Sequence, residues 1–129
     1  MTISKRKQKE VMKMTSKYNE LVRSHKDWEM YIDGELTTLG MPQDLRGYYY
    51  LITGIILSAE DISLVVSSVT TRLYPAIADI CNTTPTRVER CIRHAIERTN
   101  SYKPFGDPDK KPTNSAFIAC MANRIRRKF

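Results

Sequence analysis

The chain is poor in the residues that build catalytic and metal centres. It holds three cysteines and two histidines among 129 residues. An odd cysteine count without a CxxC pair argues against both a disulfide framework and a zinc site, and fits a reducing cytoplasm. His25 has no companion that would make it a metal ligand. Five glycines form no phosphate-cradling loop, and no Ser, His and Asp arrangement rises above chance, so neither an enzyme nor a cofactor is implied. No apolar run approaches the length of a membrane span, and the basic N-terminus is not followed by a signal-peptide core. The expectation is a soluble, cytoplasmic chain with no membrane partner.

Positive charge, by contrast, is plentiful and unevenly placed. The formal net charge is +7, which favours a polyanionic partner. Residues 1–26 carry eight Lys or Arg against two Glu, residues 27–74 carry two against seven acids, and residues 123–129 carry four against none. The basic character therefore collects at the chain ends and on one central segment.

That segment, residues 75–97, reads PAIADICNTTPTRVERCIRHAIE. Two short apolar-periodic stretches flank a polar turn, the pattern of a helix-turn-helix. Ala78 supplies the small residue needed where the helices cross, and Asn82 suits the turn because asparagine tolerates left-handed backbone. Thr84 followed by Pro85 reads as an N-cap with proline at the first helical position. On the helix that begins there, Val88, Cys91, Ile92, Ala95 and Ile96 form one stripe at three-and-four spacing. Thr86, Glu89, Arg90, Arg93 and Glu97 take the opposite face, flanked by Arg87, His94 and Arg98. Exposed arginines on a groove-sized helix can fork onto guanine, Glu can accept from the cytosine amino group, and flanking Arg, Thr and His suit phosphates. A solvated surface helix with ion pairs such as Glu89 with Arg93 is the competing reading.

Four ordered blocks also carry a resemblance: LGMPQDLRGYYYL at 39–51, LYPAIADICNTTPT at 73–86, TRVERCIRHAIE at 86–97 and KPTNSAFIACMANRIR at 111–126. Together they resemble the C-terminal effector domain of the master sporulation response regulators of endospore-forming bacteria, over about residues 30–129. The resemblance implies an all-α bundle of about six helices that binds a TGTCGAA-type box in double-stranded promoter DNA, with members commonly forming tandem dimers. It implies base reading by Glu89, Arg90 and Arg93, and phosphate contact around Thr84, Thr86, Arg87 and His94. It also places the protein on the nucleoid. Residues 98–112, rich in Pro, Gly, Asn and Asp, read as a loop. The family has a longer connection here, with a short helix implicated in contact with the RNA polymerase sigma subunit; the resemblance implies that partner, and the trimmed loop puts it in doubt.

Elsewhere, residues 44–57 place Leu45, Tyr48, Leu51, Ile52, Ile55 and Ile56 on one helical face, and Tyr48, Tyr49 and Tyr50 read as packing residues rather than base-stacking ones. Ser58 with Asp61 suggests a capping box opening a helix through Ile62, Val65, Val66 and Val69. A last helix from Thr113 buries Phe117, Ile118, Met121, Ala122 and Ile125. Its terminal Arg124, Arg126, Arg127 and Lys128 fit either the helix dipole or further phosphates. The division expected is a basic helical arm over residues 1–30 and a DNA-binding domain over 31–129.

An arm of this length is too short to encode the receiver domain that controls full-length family members, so the expectation is an effector domain without one. Its seam of Val11, Met14, Tyr18, Leu21, His25, Trp28 and Ile32 suits docking onto the domain best, because polar Tyr18 and His25 weaken it as a dimerising coiled coil. An arm that orders on DNA is the third reading. Two functions of different class follow: a standalone DNA-binding transcription regulator, or a decoy that binds a regulator or polymerase subunit through protein contacts.

Overall fold

A computed structural model describes residues 14–129, and among them there are seven α-helices and no strand. The helices are α1 (Ser16–Ser24), α2 (Lys26–Thr38), α3 (Arg46–Glu60), α4 (Ser63–Ser67), α5 (Tyr74–Cys81), α6 (Pro85–Glu97) and α7 (Asn114–Lys128). A π-helical turn, Val69–Leu73, joins α4 to α5, and a 3-10 turn, Lys103–Phe105, lies between α6 and α7.

The axis of the bundle is α3. Its apolar residues were expected on one face, yet every residue from Gly47 to Ile56 is buried, because α2, α5, α6 and α7 all pack around it. A helix that is apolar on all sides belongs at the centre of a bundle. The three tyrosines are packing residues: Tyr48 donates its hydroxyl to the Asp33 carboxylate, and its ring meets Tyr49 edge-on at 5.5 Å. Burial is the main cause that pushes the Tyr48 phenol well above its ordinary pKa.

The link after α3 departs from the sequence reading. Ser58 opens no helix; α3 runs through it to Glu60, and its buried hydroxyl has no hydrogen-bond partner among the described residues. Asp61, at the end of α3, instead makes a local turn by accepting from the Ser63 amide at 3.1 Å and the Ser63 hydroxyl at 2.6 Å. The helix that follows stops at Ser67, short of Val69, and Val66 is exposed. Serine and β-branched residues from Ser67 to Thr71 favour helix weakly, which fits a break into a π-helical turn.

The N-terminal seam also differs, being two helices rather than one. The backbone leaves the helical region at His25 (φ −129°, ψ 45°), separating α1 from α2. The His25 ring stands at the junction with Nδ1 3.0 Å from the Leu21 carbonyl oxygen and Nε2 3.2 Å from the Glu60 carboxylate. Tyr18 is buried, its ring edge-on to Tyr49 at 6.0 Å. Ile32 is fully buried, while Met14, Leu21 and Trp28 pack half-buried against the core. Val11 lies outside the described residues.

At the other end, Thr113 caps α7 by accepting from the Ala116 amide at 3.1 Å, and Phe117, Ile118, Met121, Ala122 and Ile125 are all fully buried. Three of the terminal cations have structural contacts. Arg126 donates to the Ala59 carbonyl at 3.1 Å, Arg124 donates to the Pro104 carbonyl at 2.8 Å, and the Lys128 ammonium lies 5.6 Å from the Tyr31 ring centre. Cys81, Cys91 and Cys120 form no disulfide and are only half-buried, Cys91 included although its spacing puts it on the buried stripe of α6.

Candidate nucleic-acid interface

The local sequence builds the helix-turn-helix from α5, a three-residue turn and α6. Asn82 adopts left-handed backbone (φ 53°, ψ 59°), the only non-glycine residue among those described with positive φ. Its amide and that of Thr83 both donate to the Ala78 carbonyl, closing the C-terminus of α5. The Thr84 hydroxyl then accepts from the Arg87 amide at 3.2 Å, and Pro85 occupies the first turn. Each device satisfies backbone groups that a helix end leaves open.

The inner face of α6 is fixed by burial. Val88, Ile92, Ala95 and Ile96 are completely inaccessible. Gly47 of α3 allows the closest approach, since a Cβ built there would lie 2.1 Å from the Cys91 carbonyl oxygen and 2.8 Å from the Ala95 Cβ. On the far side, the Asn114 amide donates to the Glu89 carbonyl at 3.1 Å and to the Tyr74 hydroxyl at 3.2 Å. One side chain thereby ties α7 to both helices of the motif. Burial raises the Tyr74 phenol above its usual pKa, so it stays a neutral hydrogen-bonding partner.

The outer face collects the residues singled out from the sequence. Thr84, Thr86, Arg87, Arg90, Arg93 and His94 are exposed and Glu89 is partly so. Glu89 and Arg93 form the ion pair of the competing reading, at 3.4 Å. Arg87 and Arg90 have no ion pair with the described residues. Glu97, one turn further, is paired with Lys111 at 3.0 Å, and that hydrogen bond holds its carboxyl below the usual carboxylate range. The Cys91 thiol at the edge of this face is pushed up by burial, an effect opposed by the nearby guanidinium groups of Arg87 and Arg46.

Three residues of this region escaped the sequence reading: Arg46, Lys111 and Asn114. All three lie inside blocks that carried the resemblance, but local periodicity assigns no role to a residue whose partner is on another helix. Among the described residues no group of His, Cys, Asp and Glu is arranged to hold a metal ion, and no helix is long and apolar enough to cross a membrane.

A helical bundle that presents a capped, arginine-bearing second helix in this way has the architecture of a DNA-binding domain of a transcription regulator. The family model described as Sporulation initiation factor Spo0A C terminal matches residues 32–125, and the chain belongs to that family. It is thus a DNA-binding domain of the sporulation-regulator type. The match covers α3 to α6 entirely and takes in most of α2 and α7, while α1 lies ahead of it.

Proposed function

We propose that the protein is a sequence-specific regulator that lays α6 in the major groove of a TGTCGAA-type box in promoter DNA. In this reading Arg90 and Arg93 donate to guanine O6 and N7, and Glu89 accepts from a cytosine amino group. Thr84, Thr86, Arg87 and His94 hold phosphates and fix the register. The observation that carries it is Arg90: an exposed guanidinium, unpaired with any described carboxylate, between Glu89 and Arg93 on a helix whose opposite face is completely buried. The Glu89 to Arg93 pair is common to both readings; in this one, the carboxylate oxygen not engaged by Arg93 accepts from a base.

Two copies on tandem boxes, and action from the nucleoid, belong to this proposal. So does a division of labour between a basic arm over residues 1–30 and the reading domain over 31–129. A polymerase sigma contact is not included, given the short 98–112 connection. The test is a fluorescence-anisotropy titration against box and scrambled duplexes at near-physiological salt, with Arg90→Ala in parallel. Preference for the box that disappears in Arg90→Ala is the expected result; equal, salt-labile binding to both duplexes would sink it and favour a decoy acting through protein contacts.

A further inference from the structure

A hollow of about 200 Å³ lies between the first turn of α3 and the outer edge of α6, lined by Leu45, Arg46, Gly47, Arg90, Cys91 and His94. No carboxylate lines it. It shares Arg90 and Cys91 with a second hollow of about 370 Å³ that runs on to Thr84, Thr86 and Arg87. The hollow on the opposite edge of α6 differs, because Glu89 is in its wall.

We propose that Arg46, from outside the helix-turn-helix, grips a backbone phosphate of the bound duplex together with His94. Its position is set by a close contact between helices. Gly47, the next residue, brings the α3 backbone against the Cys91 carbonyl, where a side chain has no space. Arg46 therefore emerges beside Arg90 and His94. It is exposed, and the described residues offer it no ion pair or hydrogen bond. An unpaired guanidinium has no internal partner to give up on taking a phosphate oxygen, and its forked donors match that geometry. A helix-turn-helix commonly gains such backbone contacts from neighbouring elements, which hold the reading helix in register.

The proposal rests on the major-groove reading but has its own signature. A phosphate contact contributes equally to every sequence, so Arg46→Gln should weaken box and scrambled duplexes by the same factor. The slope of log K against log salt should become shallower by about 0.9, the loss of one phosphate contact. Arg46→Lys should keep the slope. Phosphate-ethylation interference on the box duplex should lose one interfering phosphate in Arg46→Gln, which a diffuse positive field would not produce. An unchanged slope, or an interference pattern identical to that of the parent protein, would overturn the assignment. Arg90→Ala, run alongside, separates the two failures: if it abolishes discrimination while Arg46→Gln changes nothing, base reading stands and the Arg46 contact does not.

Discussion

The Asn114 side chain donates to the main-chain carbonyl of Glu89 across 25 residues of sequence, at 3.1 Å. A hydrogen bond to the backbone of a reading helix acts on its position without altering the face it presents. With Tyr74 as the second acceptor, Asn114 joins α5, α6 and α7 at one point. It is nine per cent exposed, on the wall of a hollow it shares with Tyr74 and Glu89, so only a small part of it meets water.

Asn114→Ala should therefore cost about 1–3 kcal/mol, the range for leaving buried polar groups unsatisfied. Tyr74→Phe removes one of the two bonds and keeps the ring, so about 0.5–1.5 kcal/mol is expected. Urea unfolding of the two single variants and the double variant measures both, together with their coupling. Strictly additive losses would show that the shared contact does not couple α5 to α7.

Gly47→Ala tests the approach of α3 to α6. The added methyl would meet backbone, with Cys91 O at 2.1 Å and its carbonyl carbon at 2.7 Å, so the helices must separate. Overpacking of this kind costs about 1–3 kcal/mol, and box affinity should fall because α6 moves. The contrasting variant is Gly34→Ala in α2, where a Cβ meets nothing within 4 Å; it should gain about 0.5–1 kcal/mol from helix propensity. Opposite shifts in the urea midpoint are the expected result.

The two glycines mark what was legible in the sequence and what was not. Asn82, Thr84 and Pro85 act through backbone groups within a few residues of themselves, so turn and cap could be read from their order. The stripe Val88, Ile92, Ala95 and Ile96 is visible because burial repeats with the helix period. Cys91, on the same stripe by spacing, is only half-buried because it stands at the edge where α3 begins. The period finds a face but not the width of the neighbour covering it. The same limit hid the burial of α3 on all sides. It also hid the break at His25, where the seam continues in spacing while the backbone does not. Ser58 shows a related limit: a cap is recognised by where a helix starts, and at Ser58 α3 has not yet ended.

Acid should loosen two local contacts, and only below the ordinary carboxylate range. Glu97 is held below its ordinary pKa chiefly by the Lys111 hydrogen bond, and Asp61 chiefly by the Ser63 hydroxyl. Each carboxyl thus has a lower pKa folded than unfolded, so its contribution is fully present above the unfolded value, about 4, and is lost as pH falls through the folded one. Carboxyl-detected NMR titration should give midpoints below the usual range for both. In Lys111→Gln the Glu97 midpoint should rise while that of Asp61 stays, and a Glu97 midpoint that ignores this change would exclude the hydrogen bond as its cause.

Thr84 is the residue whose two roles can be separated by charge. Its hydroxyl caps α6, and the proposed interface also sets it against a phosphate. Thr84→Ala removes both functions and should cost about 0.5–2 kcal/mol in stability as well as weakening DNA binding. Thr84→Asp keeps an oxygen that accepts from the Arg87 amide and adds a negative charge favoured by the helix N-terminus, so unfolding should stay near that of the parent. The same charge repels a phosphate, so duplex affinity should fall further than in Thr84→Ala. If Thr84→Asp is stable and binds duplex as well as the parent protein, the cap stands and the N-terminus of α6 does not face the DNA backbone.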